Sequence, residues 1–162
     1  MRETSTHIYF YHGFLSNFVP KNLSIGFDGQ VFTNSEQIYM YIKAKFFNDQ
    51  ETAVKIVKEG IEPRIARNLG QLVKHYSDEE WFKVRKGMMY KAVLLKFRSN
   101  DEIKNKLLST GNKILVEASP IDKWWGVMLS EDDDKILDEK NWKGQNLLGQ
   151  VLMEVRDKLR TE

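Results

Sequence analysis

The stretch LSIGFDGQVFTNSEQIYMYIKAKFF, residues 23–47, sets the class of the fold. Its first half alternates apolar and small residues from Leu23 to Phe27, turns at Asp28-Gly29 and resumes from Gln30 to Thr33, the pattern of two short strands joined by a hairpin. Its second half opens on Thr33 and places Glu36 three residues on, which is the spacing of a helix capping box. Apolar residues then recur at helical intervals, and the spacing predicts a helix over residues 34–47.

Outward from this stretch the same signals repeat. Upstream, Ile8 to Tyr11 is aromatic and β-branched and reads as a strand; Gly13 and the segment from Phe14 to Pro20 read as a loop with buried aromatic anchors. Downstream, Glu51 to Lys58 has helical spacing and stops at Gly60, and Pro63 opens a short helix that ends at Gly70. Ser77-Asp78-Glu79-Glu80 is a second capping box, and the apolar residues Trp81, Val84, Met88, Ala92, Leu95 and Phe97 behind it predict a long helix at the centre of the molecule. Asn100-Asp101-Glu102 begins a further helix that closes at Gly111, Lys113 to Ala118 reads as a buried strand, and Leu147 to Leu159 as the last helix. The sum is an α+β fold, rich in helix with a few short strands. No repeat, linker or low-complexity tract divides it, so residues 1–162 are expected to form a single domain.

Composition narrows the chemistry. The chain has 162 residues, 41% of them hydrophobic and 30% charged, in the range of an ordinary folded domain. It contains no cysteine, which excludes thiolate nucleophiles, disulfides and cysteine zinc sites. His7, His12 and His75 lack metal-ligand spacing, so no metal is expected, and the acidic run Glu131 to Asp134 reads as a solvated loop. The polar start and the lack of any apolar run near about 20 residues show neither a signal peptide nor a membrane span, and a cytoplasmic address is expected. The net charge of +2 is scattered, a weak footprint for nonspecific nucleic-acid binding. Phosphate loops, dinucleotide fingerprints, paired-histidine zinc helices and nucleophile elbows are all missing from the sequence.

What remains are polar residues beside turns and aromatics. Glu36 and Lys43 lie seven residues apart on one predicted helix, so they face nearly the same way about 10 Å apart along its axis. An aimed carboxylate stabilises an oxocarbenium-like centre at a ribose C1, and a desolvated lysine is able to attack an opened ribose and form a Schiff base. The same spacing also suits a helix-start charge and a solvent-facing lysine. Asp122 precedes Trp124-Trp125-Gly126, which offers an acceptor for a ribose hydroxyl beside flat faces for a base, or plain core packing. Gly144-Gln145-Asn146 opens the last helix, where backbone amides are able to hold a phosphate, or where the chain simply turns.

The segments Leu15-Ser16-Asn17-Phe18, Thr33 to Gln37 with Lys43 to Phe47, Val116 to Pro120 with Asp122 and Trp125-Gly126, and Gly144 to Arg156 together resemble the NADAR, or YbiA-like, family, in the family's order from Tyr9 to Arg160. The resemblance implies an α-rich α+β fold and N-glycosidase activity, on riboflavin-pathway aminopyrimidine intermediates or on ADP-ribosylated guanine. It implies no cofactor. By position Glu36 resembles the catalytic glutamate, Lys43 the lysine two turns later, and Asp122 and Trp125 the acidic and aromatic members of the pocket; Ser16, Asn17, Phe18 and Asn146 resemble ligand-binding positions. The implied partner is an ADP-ribose-like or ribosylated-base small molecule, or an ADP-ribosylated nucleic acid; a non-catalytic ADP-ribose or NAD reader is the rival from the binding class. Two positions depart from the family's pattern: Met128 stands where many relatives carry glycine, adding bulk near the pocket, and Gln71 where a basic residue is frequent.

Overall fold

A computed structural model describes residues 1–58 and 60–162. In chain order it holds β1 (Arg2–Glu3), β2 (His7–Phe10), β3 (Ile25–Phe27), β4 (Gln30–Phe32), α1 (Ser35–Phe46), α2 (Gln50–Ile56), α3 (Pro63–Gly70), α4 (Asp78–Arg98), α5 (Asp101–Ser109), β5 (Ile114–Glu117) and α6 (Leu147–Arg160). Two short 3-10 turns, Asp134–Leu137 and Glu139–Asn141, precede α6. The backbone divides into two compact units, one made of Met1–Ser16 with Glu102–Glu162 and the other of Asn17–Asp101.

In the unit built from the two ends of the chain, β2 is the middle strand of three. It pairs antiparallel with β1, Arg2 opposite Tyr9, and parallel with β5, Tyr9 opposite Val116. Parallel partners need a long crossover, and here the intervening chain supplies it. Buried Tyr9, Val116, Ala118, Val127 and Ile136 form the core on which Ile114, Leu129 and Trp142 pack, and α6 lies against β5. The acidic run is not simply solvated. Glu131 pairs with the amino group of Met1 at 3.0 Å and the largely exposed Asp134 with Arg2 at 2.9 Å. Among the described residues no three His, Asp or Glu side chains gather as a metal site, and no helix is long and apolar enough to cross a membrane.

The unit Asn17–Asp101 begins with the hairpin expected from sequence. Ile25 pairs with Phe32 and Phe27 with Gln30, leaving Asp28 (φ 52°) and Gly29 (φ 71°) as a two-residue turn with both residues left-handed, the turn whose twist matches that of the strands. The helix at the centre of this unit is α1 rather than α4. Nine of its twelve residues are buried, and α2, α3, α4 and β4 all pack on it. The reason lies in the two sequences: α4 buries one stripe of a long amphipathic helix, whereas apolar or small residues cover α1 nearly all round. Gly70 serves more than a stop signal, because a Cβ there would collide with the Met40 side chain of α1 and force that side chain to move.

Candidate active site

The start of α1 differs from the sequence expectation by one residue, and the shift changes what Glu36 does. Asn34, not Thr33, is the N-cap: its backbone is extended and its side-chain oxygen accepts the Gln37 N–H at 2.8 Å. Gln37, not Glu36, completes the box, with Oε1 accepting the Thr33 N–H at 2.9 Å while Nε2 donates to the Ile56 carbonyl at 2.8 Å. An amide uses both its halves in this buried position, which a carboxylate, having no proton to donate, cannot do. Glu36 is thereby excused from capping while remaining in the first turn, where the helix dipole favours negative charge.

Glu36 is 7% exposed. Its Oε2 accepts from Asn17 Nδ2 at 2.9 Å, and Asn17 is itself held by Ser35, whose hydroxyl donates to Asn17 Oδ1 at 2.6 Å. Asn17 Nδ2 also lies 3.3 Å from Met89 Sδ of α4. The loop residue and the helix residue singled out by sequence thus orient each other. Lys43, half-buried on the same helix, has its ammonium 4.5 Å above the Tyr76 ring. Burial holds the Lys43 pKa below the usual lysine range, opposed by the negative charges of Glu36 and Asp78.

Aromatic rings lie beside this cluster. Tyr39 is buried with its ring 5.5 Å from that of Trp81, and its hydroxyl is kept protonated by burial first and by the Glu36 charge second. Tyr76 donates to Asp78 Oδ1 at 2.6 Å, and its pKa is pushed up to about 12 by burial and then by that carboxylate. Arg85 of α4 is buried, its guanidinium 3.8 Å from the Phe82 ring, and its charge reaches both Tyr39 and Tyr76. Arg85 was missed in the sequence, yet a signal existed: it sits between Trp81 and Met89 at four-residue spacing, a cation in phase with the buried stripe of an amphipathic helix.

The other candidates, Phe18 apart, belong to the unit of the chain ends. Asp122 Oδ1 accepts the backbone N–H groups of Trp124 and Trp125, both at 2.9 Å, so this carboxylate builds the turn that presents the two tryptophans. Both indoles are half-buried, and the Lys123 ammonium lies 4.9 Å from the Trp124 ring. Ser16 is buried at the end of a turn in which its N–H donates to the Gly13 carbonyl at 2.9 Å; Phe18, in the other unit, is half-buried.

Of the two readings at Gly144-Gln145-Asn146, a phosphate cradle or a plain turn, the structure forms the turn. The N–H groups of Gln145, Asn146, Leu147 and Leu148 donate to the carbonyls of Lys123, Gly126, Trp124 and Trp125 at 2.9, 3.0, 3.1 and 3.2 Å, so the start of α6 is saturated by the tryptophan turn. Gly126 and Gly144 are close-packing residues: a Cβ on Gly144 would fall on the Gly126 carbonyl, and one on Gly126 would lie 2.7 Å from Ser119 Cβ. Asn146, left-handed at φ 52°, donates through Nδ2 to the Leu115 carbonyl and accepts through Oδ1 from the Glu117 N–H, both at 2.9 Å. Its amide thus stands in for a further strand along the free edge of β5. Met128 also takes a left-handed backbone, φ 65°, so a glycine there would serve the backbone rather than make room for a ligand.

The sequence profile of the NADAR domain matches residues 5–160. The chain belongs to the NADAR family. Among relatives, Protein irg-1 of Caenorhabditis elegans is 41% identical over 132 residues, 80% of this chain and 62% of that one, so this chain spans less than two thirds of irg-1. N-glycosidase R617 of Acanthamoeba polyphaga mimivirus is 34% identical over 96% of this chain and 97% of its own. Riboflavin biosynthesis protein VVA0006 of Vibrio vulnificus is 31% identical over 94% of this chain but 38% of that larger protein. The NMR structure of the E. coli protein YbiA superposes with a TM-score of 0.75 at 29% identity, covering 99% of this chain and 88% of that one. The helix-rich α+β architecture is therefore the NADAR fold.

Proposed function

We propose that this protein is an N-glycosidase that hydrolyses the C1–N bond of a ribosylated base, with ADP-ribose on guanine in nucleic acid as its substrate. The reaction class rests on NADAR membership and on the relative named N-glycosidase R617. The observation that carries the residue assignment is Glu36: a buried carboxylate in the first turn of α1, oriented by Asn17 at 2.9 Å, with Lys43 two turns along.

In this reading the C1–N bond breaks with its electron pair leaving on the base nitrogen, and C1 acquires the positive charge that the Glu36 carboxylate stabilises. Water then gives its hydroxyl to C1 and its proton to the departing base. Lys43, its ammonium form disfavoured by burial, is the group suited to a covalent variant in which its neutral amine adds to C1 of the ring-opened ribose. The C1–N bond to the base then breaks with its electron pair on the base nitrogen, which takes the proton the amine loses, and water hydrolyses the resulting Schiff base to free the lysine. Phe18, which lies in the same unit as Glu36 and Lys43, is the ring that stacks on the base. The kinship with a riboflavin biosynthesis protein favours a second reading, hydrolysis of a free phosphoribosylated aminopyrimidine by the same residues.

The test is base release from an ADP-ribosylated guanine oligonucleotide and, in parallel, from the free aminopyrimidine nucleotide. Wild type is expected to act on the oligonucleotide, and Glu36→Gln to lose about 10²–10⁴-fold in turnover. A borohydride-trapped adduct that disappears in Lys43→Ala would make the lysine covalent. Turnover of the free nucleotide alone selects the second reading; undiminished turnover by Glu36→Gln removes Glu36 from the mechanism; tight ADP-ribose binding with no release from either substrate makes the protein a reader.

A further inference from the structure

On the unit Asn17–Asp101 the hairpin, α1 and α4 line an open cavity of about 410 Å³, within the range of about 300–1,000 Å³ typical of small-molecule sites. Phe27 and Asp28 come from the β3–β4 turn, Tyr41, Lys45 and Phe46 from α1, and Met88 and Lys91 from α4. It is distinct from the Glu36 cluster. At 100° per residue, Tyr41 lies about 140° and Lys45 about 180° round α1 from Glu36, whereas Lys43 lies within about 20° of it.

Its walls carry two chemistries. Phe27, Tyr41 and Phe46 are aromatic, and Phe46 is 37% exposed, with its ring held 4.9 Å from that of Phe47 and 5.7 Å from that of Trp81. Lys45 and Lys91 bring two positive charges. Lys45 donates to the neutral Gln50 side chain at 2.9 Å and the Lys91 ammonium lies 4.9 Å from the Phe27 ring; neither is paired with a carboxylate among the described residues. The single acid, Asp28, is engaged by the Tyr41 hydroxyl and keeps acceptor capacity for an N–H or O–H donor. Flat apolar faces, two ammonium groups against one carboxylate, and the acceptor capacity of that carboxylate match a ligand that joins an aromatic ring, an anion and a hydrogen-bond donor.

We propose that this cavity is a second binding site, separate from the Glu36 cluster, for a nucleoside phosphate. Its base stacks on Phe27 and Phe46, its phosphate is held by Lys45 and Lys91, and a hydroxyl or amino group donates to Asp28. Base stacking on an aromatic ring is worth about 1–3 kcal/mol, and lysine–phosphate contacts make the binding weaken with salt. The site stands independently of the glycosidase reading, since none of its residues belongs to that mechanism.

Two adjacent methionines separate the sites, because Met88 lines the cavity while Met89 touches Asn17 beside Glu36. The full chain with 13C-labelled methionine methyl groups is titrated with adenosine monophosphate, with a ten-residue oligothymidine and with inorganic phosphate. The Met88 methyl is expected to shift with adenosine monophosphate or with the oligonucleotide, which tells a free nucleotide from a strand. Lys45→Ala, Lys91→Ala and Phe46→Ala should each raise the midpoint at least fivefold, with the folded methyl spectrum retained. The proposal is overturned if Met88 does not move with either nucleotide, if Met89 moves instead, if inorganic phosphate alone gives the same midpoint, or if the three variants bind as wild type does.

Discussion

Replacing Asn146 tests whether a residue in a family motif holds the ligand or the fold. In the structure its amide closes the outer edge of β5, donating to the Leu115 carbonyl and accepting from the Glu117 N–H. Asn146→Ala strands both backbone groups, and a buried polar group left without its partner costs about 1–3 kcal/mol. Alanine also tolerates the left-handed φ of 52° less well than asparagine, by about 1 kcal/mol. The sum, about 3–7 kcal/mol, is a large fraction of the roughly 5–15 kcal/mol that holds such a domain together. Asn146→Gly keeps the backbone freedom and loses only the amide, so it should recover about 1 kcal/mol of the alanine loss. Urea unfolding measures both: at about 2 kcal/mol per M the alanine variant's midpoint falls by roughly 1.5–3.5 M. A loss below about 1 kcal/mol, combined with abolished base release, would refute the edge-closing account and return Asn146 to the ligand.

Two further outcomes follow from titration. The Asp49 carboxyl is held down to about 2 by the Lys74 N–H first and then by the Thr52 hydroxyl and N–H, against about 3.9 in an unfolded chain. Its contribution is therefore complete above about pH 4 and lost as pH falls through about 2; urea midpoints between pH 5 and 2 should fall less steeply in Asp49→Asn, and equal slopes would count against it. Lys96, fully buried with its ammonium donating to the Val19 carbonyl at 2.6 Å, is pushed down to about 7 by desolvation from an ordinary 10.5. The unfolded chain then binds more protons between about pH 7 and 10.5, so stability rises over that window and the penalty is full below it; Lys96→Met should flatten the rise, and an unchanged slope would mean that Lys96 is not the group responsible.

Short-range physics was legible in the residue order. Asp28-Gly29 dictated a left-handed two-residue turn, Ser77 capped α4, Pro63 and Gly70 bounded α3, and the helical spacing after Asn34 placed Glu36 and Lys43 on one face, because each of these features is decided by neighbours within about one helical turn. The cap of α1 moved from Thr33 to Asn34 for a reason outside that range: Gln37 has a carbonyl to serve on α2, and only a packed structure reveals it. Tertiary contact also decided that β2 lies parallel to β5, that Arg85 is buried, that the amides opening α6 are consumed by the tryptophan turn, and that Asn146 completes a strand edge. Sequence spacing names the polar groups a chain possesses; which of them remain available to a ligand depends on what the rest of the chain has already bonded, and that is settled only when distant segments meet.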